Sequence, residues 1–243
     1  LAREHQRQFH VADSFRFEPG ITRRYLRLGT PAGVESFLNT ATFNLFLLMF
    51  QSYGVVEGAS IAIVFNWDML SFIPMVGLHI GVMSLIGRFV GARDMARANQ
   101  VISSGFILAL GYSGTLAVLF LVFRVPLVEV FSTPGQDFGP IRELASDMMI
   151  GLTTYMLADA TILIAGGALR GAGDTSWTMI MSTSLHGLML VAQYFVIISF
   201  GCGPRVSWWV FVAMLISLAL VYLWRLLGGR WRRPERLERV MRE

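Results

Sequence analysis

Two aspartates, Asp68 and Asp159, lie inside long apolar stretches of a chain of 243 residues. A carboxylate near the middle of a membrane helix costs roughly 2.5–3.5 kcal/mol on insertion scales. Such a group faces a bundle interior or a watery cavity, where it can hold a cation or a proton. Glu35 lies nearer the end of its apolar run, where it can also reach the interface. Spacing supplies neighbours. Glu35 and Asn39 are four residues apart and share a helix face. Tyr155 stands one turn before Asp159. Asp68, Ser71 and His79 fall near one face, although Asp68 and His79 are about 16 Å apart along the axis and cannot pair directly. Ser182, His186 and Gln193 line another face. Four apolar stretches thus each carry a polar stripe, the pattern of helices set around a polar cleft. Hydrogen bonding between packed helices is the alternative. It suits Asn39, Ser71, Ser182 and Gln193 as well as a cleft does, and it extends to His79 and His186. For Asp68 and Asp159 the charge favours function.

The elements that must position these groups are membrane helices. Hydrophobic residues make up 54% of the chain and charged residues only 15%, against about a quarter charged in soluble domains. Apolar runs long enough to cross roughly 30 Å of hydrocarbon occupy about 31–54, 59–86, 99–123, 143–168, 176–200 and 206–227. The fold class is therefore all-α, a polytopic membrane protein with six transmembrane helices. Lipid offers no partner to open backbone groups, and a barrel would show short alternating strands. Pro31 marks the first turn of the first span. Pro74, with Gly77, predicts a bend in the second. The longest connection, 124–142, is punctuated by Pro126, Pro134 and Pro140, and no internal repeat is visible. The single cysteine, Cys202, excludes an intrachain disulfide and a thiolate metal site.

Charge sets the expected orientation. Of the 20 basic residues, all arginine, 17 fall on one side of the spans and Arg124, Arg142 and Arg205 on the other. Both ends and the 169–175 turn are then cytoplasmic, in a plasma (inner) membrane. A net charge of +4 with this distribution serves topology and headgroup contact and makes no case for nucleic acid. Residues 1–28 read as a cytoplasmic linker, 29–228 as the membrane unit, and 229–243 as a basic tail along the membrane surface. No signal peptide precedes the first span and Leu1 opens the chain, so it is expected to begin within a longer protein.

Three stretches carry a resemblance. AGGALRGAGDT (165–175), FNWDMLSFIPMVGLHIGVMSLIGRFVGARDMARA (65–98) and RLGTPAGVESFLN (27–39) resemble, in order and spacing, parts of the multidrug and toxic compound extrusion (MATE) transporters. The resemblance they anchor extends over about residues 20–228. The resemblance implies one C-terminal six-helix lobe of a twelve-helix transporter, with residues 1–28 as the inter-lobe linker. It also implies antiport of drugs or organic cations against H⁺ or Na⁺, with no cofactor and no enzymatic step. The lobes would rock about a central cleft. Expected partners are lipids, a cationic amphipathic substrate and the missing N-terminal lobe.

The family's tenth-helix aspartate stands eleven residues before the signature arginine. Asp159 and Arg170 keep that spacing, so the resemblance implies that Asp159 is the coupling site, for a proton or for Na⁺; no other metal site is implied. One branch carries a glutamate eight residues after a proline on its seventh helix. After Pro31 that position is Asn39, and Glu35 one turn earlier is the possible substitute. By the spacing of the polar stripes, and with no family equivalent for Asp68, His79 or His186, Tyr155, Asp68, His79, His186 and Gln193 are assigned to the substrate cleft. Pro31, Pro74, Arg170, Gly171, Gly173 and Asp174 are assigned to the motif and its turn. Two other readings stand beside this one. A lipid-linked oligosaccharide flippase of the same superfamily would hold pyrophosphate with arginines inside its spans. A rhomboid-like intramembrane protease would use Ser113 of GYSG (111–114) with His186.

Overall fold

The helix that carries Asp159 is the axis of the molecule. In the computed structural model, which describes residues 18–132 and 137–232, the regular structure is helical throughout and no strand occurs among the described residues. The helices are α1 (Pro19–Gln51), α2 (Val55–Gly91), α3 (Met95–Val122), the short α4 (Arg124–Glu129), α5 (Gly139–Gly171), α6 (Thr175–Tyr194) and α7 (Pro204–Leu227). A π turn, Phe195–Ser199, prolongs α6, and a 3₁₀ turn, Arg230–Arg232, follows α7. Of these, α5 is the most buried and packs against α2, α3 and α7, while α1 leans on α6.

Five helices are long and apolar enough to cross a membrane among the described residues: α2, α3, α5, α6 with its π turn, and α7. The first expected span is the exception. It belongs to a 33-residue helix that begins at Pro19, well before the boundary expected near 29, so residues 19–28 are helical. Pro19 occupies the first turn, where its fixed φ and missing N–H are tolerated. Pro31 is therefore inside the helix rather than at its start. The connection 124–142 also contains α4, whose backbone offers Leu127 O to the Trp67 indole at 3.1 Å.

The two turns at the arginine-rich end are built alike. Asp94 N donates to Phe89 O at 2.9 Å, and Asp174 N donates to Leu169 O at 2.8 Å. Each closes a G-A-x-D sequence, 91–94 and 171–174, so a short structural repeat exists where the sequence showed none. The third residue takes a left-handed conformation in both: Arg93 at φ 58° and Gly173 at φ 82°. Glycine adopts that region freely, whereas arginine is strained there.

Two apolar clusters fill the interior. Toward the far end, Phe46 stacks on Phe211 at 4.9 Å, and Phe65, Tyr155 and Trp208 close around them. Toward the arginine-rich end, small residues of α5 let helices approach. A Cβ on Gly171 would collide with Met83 O and lie 3.0 Å from Ile86 Cβ, so α2 and α5 touch backbone to backbone there. Trp231 is fully buried and donates to Leu226 O at 2.9 Å. The start of the expected surface tail is thus tucked into the core, because the indole finds both apolar cover and an acceptor. Residues 233–243, like the arginines before residue 18, lie outside the described residues.

Candidate functional site

A cleft of about 630 Å³ opens between α1, α2, α5, α6 and α7. Its walls are mostly apolar, with Phe43, Phe65, Phe72 and Phe211 among them. The polar groups on it come from five helices. α1 supplies Glu35 and Asn39, α2 supplies Asp68, α5 supplies Tyr155, Asp159 and Arg170, α6 supplies Ser182 and His186, and α7 supplies Tyr222.

The cleft has two polar regions. At its middle, Asp68 and Asp159 are close enough to act electrostatically on one another and on Tyr155. The tyrosine is buried and its hydroxyl forms no regular hydrogen bond among the described residues. Among the described residues no arginine or histidine forms an ion pair with either aspartate there. Behind them a crevice of about 10 Å³ is lined by both aspartates together with Ser71 and Ser113, the scale of one water molecule. No cluster of three or more His, Cys, Asp or Glu suited to a metal ion occurs among the described residues.

Toward the arginine-rich end the charges are matched. Arg170 Nη2 donates to Glu35 Oε1 at 2.5 Å, which ties α1 to α5. Asn39 Nδ2 donates to Ser182 Oγ at 2.7 Å, which ties α1 to α6. Asn39 Oδ1 is buried without a partner among the described residues. His186 Nδ1 is 2.8 Å from Ser182 O on its own helix. Just beyond the cleft, Arg225 Nε donates to Asp174 Oδ2 at 3.0 Å, and its guanidinium lies 4.9 Å over the Trp177 ring. Asp174 is fully buried and Arg225 nearly so.

The structure gathers Glu35, Asn39, Asp68, Tyr155, Asp159, Arg170 and His186 on one cleft. It does not bring His79 or Gln193 there. His79 Nδ1 lies 2.6 Å from Leu163 O in the α2–α5 contact, where Gly167 leaves room for the ring. Gln193 is buried in a closed exchange with Ser207: Nε2 donates to Ser207 O at 2.9 Å and Ser207 Oγ donates to Oε1 at 2.6 Å. Both are helix-to-helix fasteners. Pro31, Pro74, Gly171 and Gly173 shape backbone and are not among the lining residues. Arg170 does more than mark a side, since its guanidinium reaches into the cleft; its spacing of eleven from Asp159, about three turns, carried that signal. Sequence reasoning could not separate a phenylalanine wall from lipid-facing residues, passed over Arg225 as the partner of Asp174, and weighed Ser113 only as a protease serine and not as a neighbour of the aspartates. No hydrogen bond joins Ser113 to His186 among the described residues, so the contact a serine–histidine pair uses is not formed.

Comparison with known proteins gives the family and the fold. The MatE family profile matches residues 31–203. The probable multidrug resistance protein NorM of Thermotoga maritima is 30% identical over 223 residues, covering 89% of this chain and 46% of the relative. The multidrug resistance protein MdtK of Cronobacter sakazakii is 23% identical, covering 88% of this chain and 47% of the relative. Among solved structures, an outward-facing multidrug resistance MATE family transporter of the MOP superfamily superposes with a TM-score of 0.76 at 23% identity, over 85% of this chain and 45% of that one. A MOP superfamily transporter from Pyrococcus furiosus gives 0.73 at 22% identity, over 88% of this chain and 45% of that one. The chain spans about half the length of the curated relatives it matches.

Proposed function

Because this chain belongs to the MatE family, we propose that it acts as the C-terminal lobe of a multidrug efflux antiporter. Its cleft would carry amphipathic organic cations in exchange for an inward H⁺ or Na⁺. The observation that carries this reading is the pair Asp68 and Asp159 on a large, mainly apolar cleft with no cationic side chain matched to it among the described residues. Aromatic walls suit the apolar body of such a cargo. The carboxylates suit its charge, and a proton or small cation competes for the same charge. Binding one releases the other, which is the exchange. Names of relatives point the same way, being multidrug resistance proteins. The remaining features of the proposal are an N-terminal lobe closing the open side of the cleft, residence in the inner membrane, and the arginine-rich end toward the cytoplasm. The flippase alternative draws no support from the cleft: Arg170 is the one arginine among the described lining residues, and Glu35 neutralises it.

The test is Asp159→Asn in a complete two-lobed transporter that carries this chain as its second half. Efflux of a fluorescent organic cation from cells should fall at least tenfold, with the variant still present in the membrane. The ion dependence of any residual efflux should change as well. Unchanged efflux with unchanged ion dependence would remove Asp159 from the mechanism.

A further inference from the structure

A second crevice, of about 350 Å³, lies between α3 and α7 at the arginine-rich end, on the outer face of the bundle. Asn99, Ser103 and Phe106 line it along α3, and Leu223 and Leu227 along α7. The three α3 residues are four and three apart, so they share one face over about 10 Å of rise. Polarity changes along that face. Asn99 and Ser103 are near the start of α3 at Met95, and Phe106 is deeper. Arg232 lines the polar mouth. Its position is set by its neighbour: the Trp231 indole is locked to Leu226 O, and the Arg232 guanidinium lies 4.8 Å over the Trp231 ring. No carboxylate forms an ion pair with Arg232 among the described residues. Asn99 Oδ1 is buried and lacks a hydrogen-bond partner among the described residues. The mouth therefore offers a held cation and an open acceptor above apolar walls.

We propose that this crevice seats one anionic phospholipid of the phosphatidylglycerol type. The phosphodiester would sit on Arg232, a headgroup hydroxyl would donate to Asn99 Oδ1, and an acyl chain would lie between α3 and α7. Charge complementarity selects this occupant. A cationic cargo is repelled by Arg232, and inorganic phosphate would leave the leucine and phenylalanine walls uncovered. The inference does not depend on the transport reading, because the crevice shares no lining residue with the cleft.

Purified chain in detergent micelles, titrated with phosphatidylglycerol, phosphatidylcholine or inorganic phosphate, tests it by native mass spectrometry and thermal melting. Phosphatidylglycerol should be retained about fivefold more than phosphatidylcholine, the worth of one arginine beside an anionic headgroup. Arg232→Gln should bring that ratio close to one. Ser103→Phe, which fills the crevice, should lower retention of both lipids without lowering the melting temperature. Equal retention of the two lipids by the unaltered chain would overturn the proposal. So would an unchanged ratio in Arg232→Gln, unchanged retention in Ser103→Phe, or stabilisation by inorganic phosphate equal to that by phosphatidylglycerol.

Discussion

The middle of the cleft and its arginine-rich end hold the same kind of charge in opposite circumstances. At the end, Glu35 meets Arg170 at 2.5 Å and Asp174 meets Arg225 at 3.0 Å. In the middle, Asp68 and Asp159 have each other and a tyrosine, with no basic side chain paired to them among the described residues. A carboxylate matched by a guanidinium is committed to the fold. A carboxylate left unmatched beside a cavity is available to something that comes and goes. One family of residue types thus does two jobs, and the partner decides which.

The sharpest way to break this contrast is to compare stabilities. Arg225→Gln takes one buried guanidinium away from Asp174, and breaking a buried pair costs about 3–5 kcal/mol. The melting temperature of the purified chain in detergent should fall on the order of 10 °C. Asp159→Asn should leave it almost unchanged, since no ion pair is lost among the described residues. If Asp159→Asn melted as early as Arg225→Gln, the aspartate would be a structural group and the contrast would be wrong.

A smaller effect tests a close backbone contact between the two helices that carry the aspartates. Asp68 is on α2 and Asp159 on α5, so their proximity depends on how closely those helices pack. Gly171→Ala forces a Cβ against Met83 O and should cost about 1–3 kcal/mol by overpacking, read as an earlier melt. Gly114→Ala on α3 is the control, because a Cβ there meets nothing within 4 Å. It should be neutral or slightly stabilising, as alanine is the better helix former.

Much of this was legible in the sequence for a physical reason. Lipid leaves helices as the way to bury a backbone, so long apolar runs with sparse charge gave the fold class, and polar residues within them pointed at the cleft. Asp159, Tyr155, Asn39 and Glu35 all lie on it. Periodicity reports which face a residue occupies but not which helix it faces. Nothing in the run 59–86 says that Asp68 will meet α5, and nothing in 176–200 says that Gln193 will close on Ser207 instead of the cleft. The early start of α1 was hidden because Pro31 looks like a first turn when Pro19 plays that part. Trp231 looked interfacial because its acceptor, Leu226 O, exists only once the chain has turned back on α7. The repeated G-A-x-D turn escaped notice because its likeness is in backbone hydrogen bonds and four residues, too short to stand out.

The smallest expected effect belongs to the opposite end of the molecule. Arg142 pairs with Glu129 at 2.9 Å, about as short as the buried Arg225–Asp174 pair, but the two side chains are 52% and 45% exposed. Water already solvates both, so bringing them together gains little and orders two flexible chains. Arg142→Ala should therefore shift stability by no more than about 0.5 kcal/mol. Added salt should reduce even that difference, because exposed charges are screened. Distance is nearly the same in Arg142–Glu129 and Arg225–Asp174, so burial is the variable that separates them. A melting-temperature loss for Arg142→Ala comparable to that of Arg225→Gln would mean that pairing alone sets the worth of these contacts. The unmatched state of Asp68 and Asp159 would then no longer mark them as the residues free to bind.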